Sequence, residues 1–246
     1  MTPTKLIRPF VFKQFTVQQD RCTMQVGTDG VLLGAWAPVA GANTILDIGT
    51  GTGLIAIMLA QRCEEGVIHA VEIDEKAFQQ AQENMIQSPW HDRLQAHLGA
   101  IQDFSMPDSV EEGFDLIVSN PPFFSGGTFS FNQDRNSVRH TIKLPHNDLL
   151  RAVRRLLHAE GRFATILPLL EGLRFKELAE SYHLYCTQTI EVQPKPSRSA
   201  ERLLLVFSKE APEKPCETSS LILMEEDDVT RTEPYRSLTE GFYLNP

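Results

Sequence analysis

Short apolar runs alternate with longer amphipathic segments along the chain from about residue 43 onward. This alternation is typical of βαβ units that surround a parallel sheet. It predicts strands at residues 44–48, 66–72, 93–98, 114–119, 161–167, 182–192 and 201–208. Because residues 193–200 are too few for a crossover helix, the last two strands are predicted to form an antiparallel hairpin.

Between the strands, apolar residues recur at the three-to-four spacing of amphipathic helices. The pattern predicts helices at residues 54–62, 75–87 and 148–158, with Asn147 as the N-cap of the third helix. The apolar stripe of the second helix consists of Ala77, Phe78, Ala81 and Met85. A stripe of this kind indicates packing against a core.

The two ends of the chain carry a different pattern. Residues 24–30 are rich in turn formers and precede the apolar run 31–36, so residues 1–42 are predicted to cap the sheet. After residue 208 a Pro-, Glu- and Ser-rich stretch leads to a short edge strand at 221–224. The chain is thus expected to form one α/β domain over residues 1–246, with an N-terminal cap (1–42), a central core (43–208) and a C-terminal extension (209–246).

Composition agrees with an ordinary globular chain, since 41% of the residues are hydrophobic and 22% are charged. No apolar run approaches the roughly 18 residues of a membrane span, and the first residues lack the apolar stretch of a secretory signal. We therefore expect a cytoplasmic protein that does not engage a membrane. The four cysteines show neither Cys-x-x-Cys spacing nor a nearby His cluster, so a zinc site or a disulfide framework is not indicated.

The segment Asp47-Ile48-Gly49-Thr50-Gly51-Thr52-Gly53 closes the first core strand and opens a helix. Glycines at such a turn allow the backbone to bend sharply and approach a ligand. Leu54 breaks the G-x-G-x-x-G spacing of dinucleotide sites, and no Gly-Lys-Ser/Thr follows. Glu72 ends the next strand, where an acid can accept both ribose hydroxyls. These features predict a nucleoside ligand without a pyrophosphate; the simpler alternative is a plain strand-to-helix turn.

The motifs D-I-G-T-G-T-G and V-E-I-D resemble those of class I S-adenosylmethionine-dependent methyltransferases. The resemblance implies a Rossmann-like, seven-stranded, mostly parallel sheet with an antiparallel last strand and helices on both faces. It also implies S-adenosylmethionine as the methyl donor, without a metal. The family often places an Asp after its third strand, where this chain has Gly99-Ala100, so Gln102 or Asp103 is the expected substitute. The implied cofactor-binding residues are Asp47, Gly49, Gly51, Gly53, Glu72, Asp103 and Asn120.

The turn Asn120-Pro121-Pro122-Phe123 follows the fourth core strand. Its two prolines fix φ and remove two backbone donors, which leaves a rigid ledge of hydrogen-bond acceptors. The Asn120 side-chain oxygen and the Pro121 carbonyl can each accept one hydrogen of a planar amino group, and Phe123 can stack on that group. The turn resembles the N-P-P-[YFW] signature of amino-methyltransferases, which implies these catalytic roles for Asn120, Pro121 and Phe123. A merely rigid turn is the structural alternative.

Charge is distributed unevenly along the chain. The net charge is -9, yet residues 120–209 carry 13 Lys and Arg against 8 Asp and Glu. A local surplus of this sign can face phosphate even when the whole chain is acidic. The cations expected to form a nucleic-acid-binding rim are Arg135, Arg139, His140, Lys143, Lys195 and Arg198. Individually, each is also explained as an ordinary solvated side chain.

Four segments extend the resemblance over nearly the whole chain: F-x-F-K-Q-F-x-V-x-Q-D (10–20), the run 26–36, N-P-P-F and Lys195-Pro196-Ser197. They are similar to bacterial tRNA adenine-N6-methyltransferases. This resemblance implies tRNA as the partner, adenine 37 beside the anticodon of valine tRNA as the target, and residues 27–30 near the cofactor. We expect the protein to be monomeric.

Three other functions fit the same motifs. A protein glutamine N5-methyltransferase uses the same turn, usually with Tyr in place of Phe123, and has no need of a basic rim. An rRNA guanine N2-methyltransferase also fits an N-P-P-F site. A nucleoside-binding module without catalysis would keep the glycine loop but would have no use for Asn120.

Overall fold

The computed structural model describes residues 7–122 and 144–245. Within these ranges ten strands form. They are β1 (Phe10–Val11), β2 (Thr16–Val17), β3 (Thr44–Ile48), β4 (Val67–Glu72), β5 (Leu94–Leu98), β6 (Phe114–Ser119), β7 (Leu157–Pro168), β8 (Tyr185–Gln193), β9 (Arg202–Ser208) and β10 (Glu217–Ile222). All seven predicted strands are present, and most of their bounds agree within three residues because each carries a strong apolar pattern.

Six α-helices accompany the strands in the described part of the chain. They are α1 (Thr28–Trp36), α2 (Leu54–Arg62), α3 (Glu75–Ile86), α4 (His146–Leu156), α5 (Leu169–Glu180) and α6 (Glu233–Thr239). None of these helices is both long and apolar enough to cross a membrane. The three predicted helices correspond to α2, α3 and α4.

The large sheet has the strand order β10-β8-β9-β7-β6-β3-β4-β5. Strands β3 to β7 are parallel, while β9 runs antiparallel to both β7 and β8. The predicted hairpin of the last two core strands is therefore confirmed, and the first and fourth core strands, β3 and β6, are neighbours. Strands β1 and β2 form a separate two-stranded sheet.

The sheet has eight strands rather than the seven expected, because β10 adds to its edge beside β8. The predicted edge strand at 221–224 was thus placed too late in the sequence. Four of the six residues of β10 are exposed, so the strand depends on backbone pairing with β8 and leaves little hydrophobic signal.

Four helices differ from the sequence prediction. Helix α4 begins at His146, so Asn147 lies inside the helix and is not its N-cap. Helices α5 and α6 were not predicted at all. Helix α1 was expected only as part of a cap, because its residues from Gly30 to Ala35 are all buried and therefore lack an amphipathic period. Gly34 allows α1 to lie directly on α2, since an added Cβ would sit 2.8 Å from Met58 Sδ.

Helices cover both faces of the sheet, as the parallel strands require. One apolar cluster joins α1, α2 and α3 to one face, and the other joins α4 and α5 to the opposite face. Side chains of β3 alternate between the two, with Ile45 in the first cluster and Leu46 and Ile48 in the second. Asp47 therefore points to the face that carries α1 and α2.

A pair of imidazoles lies within the sheet between β4 and β5. His69 is fully buried, and its Nδ1 lies 3.0 Å from Nε2 of His97. Its Nε2 is buried without a hydrogen-bond partner among the described residues. Burial, reinforced by His97, lowers the pKa of His69 to about 4 from the ordinary value of 6.5. His69 is thus neutral in the folded protein at pH 7.

This pair makes the fold sensitive to acid. As the pH falls below about 6.5, the unfolded chain takes up a proton at residue 69 before the folded chain does, so the free energy of unfolding decreases until the pH nears 4. We predict that the free energy of unfolding of the wild-type protein falls by about 2 kcal/mol more between pH 7.5 and pH 5 than that of His69→Leu. Urea unfolding of both proteins at the two pH values measures it, and equal pH dependence would contradict the prediction.

Candidate active site

The candidate site lies at the carboxyl edge of the parallel strands, where the strand order reverses. From β3 the chain proceeds through β4 and β5 on one side and through β6 and β7 on the other. Ligands of open α/β sheets bind at such a switch point, because the loops of neighbouring strands diverge and leave a crevice. A cavity of about 880 Å³ opens here, lined by the loops that follow β3, β4, β5 and β6. This volume suits a small-molecule ligand.

The glycine loop forms one wall of the cavity. Gly49 and Gly51 have φ values of 73° and 57°, in the left-handed region that favours glycine. An added Cβ at either position would meet no described protein atom within 4 Å. Bare backbone therefore faces open space. Gly53 also has positive φ but lies off the described wall and packs on α3, where an added Cβ would be 3.3 Å from Met85 Cε.

Glu72, at the end of β4, lines the cavity and joins it to the glycine loop. One carboxylate oxygen accepts a hydrogen bond from the Gly51 amide at 2.9 Å. The other accepts from the amides of Ile73 and Asp74 at 2.9 and 3.0 Å. An ionised carboxylate has about four lone-pair sites, so capacity remains for a ligand hydroxyl.

Asp47 lies beneath the glycine loop rather than on the cavity wall, and it is completely buried. Its Oδ2 accepts a 2.7 Å hydrogen bond from the Thr50 hydroxyl. Burial raises the pKa of Asp47 to about 7, although the bond from Thr50 acts in the opposite direction. The geometry supports a role in shaping the loop from below.

The segment after β5 forms another part of the cavity wall. Gly99, Ile101 and Gln102 line the cavity, and Ile73 from the β4–α3 turn adds a further apolar group. Asp103 is exposed and lies off the described wall. Of the two residues expected to replace the missing acid, Gln102 therefore has the suitable position.

The N-terminal segment, residues 18–30, contributes a further part of the cavity wall. Residues 22–30 all line it, and these include residues 27–30, at the start of α1, which the resemblance places near the cofactor. Asp29 forms an ion pair with Arg202 of β9, with Oδ2 3.0 Å from Nε. Arg202 also lines the cavity. Sequence reasoning did not identify this pair, because the partners are 173 residues apart and Arg202 lies in no recognisable motif.

The acceptor ledge follows β6 directly beside the glycine loop. Ser119 pairs with Ile48 across the two strands, and its hydroxyl donates a 2.9 Å hydrogen bond to the Ile48 carbonyl. Asn120, Pro121 and Pro122 line the cavity. The Oδ1 atom of Asn120 is buried and has no hydrogen-bond partner among the described residues. A buried acceptor without a partner is costly, which indicates a place for a ligand donor. Phe123 lies outside the described residues.

The predicted basic rim is only partly described. Arg135, Arg139, His140 and Lys143 lie outside the described residues. The loop between β8 and β9 is described, and acidic residues contact it. Lys195 Nζ lies 2.7 Å from Asp228 Oδ2, while the Ser197 amide and hydroxyl donate to Glu226 at 2.6 and 2.8 Å. Arg198 lies 3.4 Å from Glu201.

Together the walls offer a bare backbone ledge, a carboxylate with spare acceptor capacity and an unpartnered amide oxygen. These suit a ligand with a hydroxyl group and a separate group with N–H donors. Among the described residues, no group of three or more His, Cys, Asp or Glu side chains is arranged to hold a metal ion.

Known proteins are similar to this chain in sequence and in fold. The family model of the methyltransferase small domain matches residues 26–163. A protein named tRNA1(Val) (adenine(37)-N6)-methyltransferase from Histophilus somni (strain 2336) is 44% identical over 237 residues, which covers 96% of this chain and 97% of that protein. One with the same name from Bacteroides thetaiotaomicron is 46% identical over 240 residues, with 96% and 97% covered.

Solved structures support the fold at low sequence identity. Protein Atu636 from Agrobacterium tumefaciens, described as a predicted O-methyltransferase, has a TM-score of 0.66 at 17% identity and covers 87% of this chain and 96% of its own. The CcbJ methyltransferase from Streptomyces caelestis has a TM-score of 0.54 at 14% identity, with 76% and 91% covered. Such identities establish the shared class I methyltransferase fold only.

The family model spans more than half of the chain, and the curated relatives match nearly all of it. The chain belongs to the methyltransferase small-domain family.

Proposed function

We propose that this protein transfers a methyl group from S-adenosylmethionine to the exocyclic N6 amine of adenine 37 in valine tRNA. The observation that carries the chemistry is the buried, unpartnered Oδ1 of Asn120 on the cavity wall. The choice of tRNA rests on the names of relatives that are 44–46% identical over 96% of the chain. The proposed site of action is the cytoplasm, with the chain acting as a monomer.

The cavity walls fit S-adenosylmethionine. Gly49 and Gly51 leave room for close approach to the backbone, and Glu72 has acceptor capacity left for a ribose hydroxyl. Ile73, Ile101 and Gln102 offer apolar surface and an amide for an adenine ring. Asp47 and Gly53 support this site from outside the wall by holding the loop and its helix.

When bound, S-adenosylmethionine supplies an electrophilic methyl group on a sulfonium sulfur. The chain's own task is to present the amine. An adenine amino nitrogen is a poor nucleophile because its lone pair is delocalised into the ring. Hydrogen bonds from the two amino hydrogens to Asn120 Oδ1 and the Pro121 carbonyl would direct that lone pair away from the ledge and localise it. Phe123 is proposed to stack on the base.

The partner is proposed to bind along the β8–β9 loop, which lies at the same edge of the sheet as the cavity. Arg202 directly follows that loop and lines the cavity, so the loop and the cavity are adjacent. Lys195 is paired with Asp228 in the structure, but an ion pair with an exposed partner contributes little stability. An RNA phosphate can therefore replace Asp228 at modest cost. Arg198, Arg135 and Arg139 are the other proposed phosphate contacts.

The proposed cofactor site predicts a loss of binding on double substitution. In Gly51→Val, Glu72→Ala the left-handed backbone is strained, a side chain is added at the ledge, and a ribose acceptor is removed. Calorimetry should then detect no S-adenosylmethionine binding. The matched control is Gly41→Val, Glu64→Ala, because Gly41 has φ 75° with nothing within 4 Å but lies before β3, at the opposite edge. Unchanged affinity in the first variant would refute the cofactor site.

The acceptor ledge predicts a defect in turnover rather than in cofactor binding. Asn120→Ala should lower kcat by about 100-fold, the scale seen when one preorganised hydrogen bond to the transition state is removed. Its dissociation constant for S-adenosylmethionine should stay within about twofold of the wild-type value, because the removed acceptor is proposed to bind the amine. A tenfold change would require the loss of about 1.4 kcal/mol of cofactor binding free energy. Asn147→Ala, on α4, is the control. Wild-type turnover in Asn120→Ala would show that the amine does not bind this ledge.

The proposed RNA surface predicts a salt-dependent weakening of tRNA binding. Lys195→Glu, alone and with Arg198→Glu, should weaken binding while cofactor affinity is retained. For every cation that no longer neutralises a phosphate, the slope of the logarithm of the tRNA association constant against the logarithm of the salt concentration should become shallower by roughly 0.7 to 0.9. Lys214→Glu makes the same charge change in an exposed loop after β9, at the opposite edge of the sheet. The same reversal at Arg135 and Arg139 tests the other half of the rim.

The alternative substrate gives a different result in the same measurement. A release factor or ribosomal protein would be recognised without comparable release of counterions. Negligible wild-type affinity for tRNA at low salt, or equal binding by the charge-reversed variants, would favour glutamine methylation at the same ledge.

A further inference from the structure

Helix α3 carries two amide side chains that are almost fully buried. Gln80 and Asn84 are each 1% exposed. Because they are four residues apart, they lie on one face of the helix. Burying an amide is unfavourable unless its donors and acceptors find partners. The partners of these two residues therefore explain their burial.

Asn84 is bonded to two distant parts of the chain. Its Oδ1 accepts from the Gln18 amide at 2.9 Å, and its Nδ2 donates to the Gln18 carbonyl at 2.8 Å. The same Nδ2 donates to the Thr52 carbonyl at 2.8 Å. Both donors and the acceptor of the side chain are thus used. Gln18 belongs to the N-terminal segment, and Thr52 belongs to the glycine loop.

Gln80 makes a second attachment one helical turn earlier. Its Oε1 accepts from the Arg21 amide at 2.9 Å. The N-terminal segment is therefore held at residues 18 and 21, immediately before residues 22–30 run along the cavity. Between residue 18 and the start of α1 at Thr28 the segment has no helix or strand of its own. Its position depends on such side-chain attachments.

The start of α3 is tied to the cavity as well. Asp74 caps the helix by accepting from the Ala77 amide at 2.9 Å, and both residues line the cavity. Glu72 precedes this cap and binds the Gly51 amide. The start of α3 thus holds Glu72 and Asp74 at the cavity. Further along the same helix, Asn84 holds the glycine loop and the N-terminal segment.

We propose that Asn84 and Gln80 are positioning residues that clasp the N-terminal wall to the glycine loop and thereby set the width of the cofactor cavity. The proposal rests on the proposed cofactor site. Neither residue is assigned a contact with the ligand. Asn84 acts on Thr52 and Gln18, and Gln80 acts on Arg21. Loosening the clasp should let residues 22–30 move away and lower cofactor affinity, while the ledge at Asn120 keeps its geometry.

The test compares Asn84→Ala with Glu83→Ala, its neighbour on the same helix. Glu83 also contacts the segment, through a 2.8 Å ion pair with Arg21, but both side chains are exposed. Calorimetry with S-adenosylmethionine should show a dissociation constant raised about tenfold in Asn84→Ala and within twofold of wild type in Glu83→Ala. Asn84→Asp keeps the size but sets a carboxylate oxygen against two carbonyls, so its affinity should be no better than that of Asn84→Ala.

Two further measurements separate positioning from simple stabilisation. In the cofactor-free Asn84→Ala protein, hydrogen exchange should accelerate in peptides covering residues 18–30, while peptides from β6 and β7 keep their wild-type rates. The KM for S-adenosylmethionine should rise with kcat at saturating cofactor within about twofold, because the ledge is unchanged.

An unchanged dissociation constant in folded Asn84→Ala, even with a lowered Tm, would overturn the proposal and leave the cofactor site intact. Failure of the wild-type protein to bind S-adenosylmethionine would overturn the cofactor site and the clasp together. If Asn84→Ala does not fold, Gln80→Ala, which removes one bond, decides the question. An increase of about threefold is then expected, and no change overturns the clasp.

Discussion

The parallel pairing of β3 with β6 is the constraint on which the rest of the site depends. Two motifs that are 71 residues apart, the glycine loop and the acceptor ledge, meet because Ile48 and Ser119 end these strands in register. The Ser119 hydroxyl bonds the Ile48 carbonyl where the loops begin to diverge. The switch in strand order then opens the crevice, so a ligand on the glycine wall lies within reach of Asn120.

Buried polar groups give this crevice its shape. Asp47 supports the glycine loop from below through Thr50, Glu72 holds it from the side through the Gly51 amide, and Asn84 ties Thr52 to the N-terminal segment. Each group is bonded to a backbone or hydroxyl partner, although Asp47 Oδ1 has none among the described residues. Asn120 Oδ1 is also buried without a described partner, but Asn120 lines the cavity and Asp47 does not. Its position on the wall, together with the missing partner, makes the Asn120 oxygen available to a substrate.

The acidic C-terminal extension gives the charge distribution a structural meaning. Asp228 and Glu226 contact the basic β8–β9 loop and use the same donors, an ammonium, an amide and a hydroxyl, that a phosphate would use. Strand β10 brings them there by extending the sheet beside β8. An overall charge of -9 is therefore compatible with the proposed phosphate contacts of this loop, because Asp228 and Glu226 are exposed and their bonds to the loop contribute little stability.

By itself, the sequence determined the core strands, helices α2 and α3, and both chemical motifs, because strong apolar periods and the special backbone needs of Gly and Pro are local properties. The sequence could not reveal α1, because residues 30–35 of this helix are all buried and show no amphipathic period. It also misplaced β10, because most side chains of this strand are exposed and give no apolar pattern. Only the tertiary structure decided that Asp47 and Gly53 lie off the wall and that Gln102 rather than Asp103 lines it. The same holds for the Asp29–Arg202 pair at the cavity and for the bond from Asn84 to the glycine loop. The reason is physical: these assignments depend on contacts between residues that are distant in the chain, and such contacts exist only once the sheet has brought its loops together.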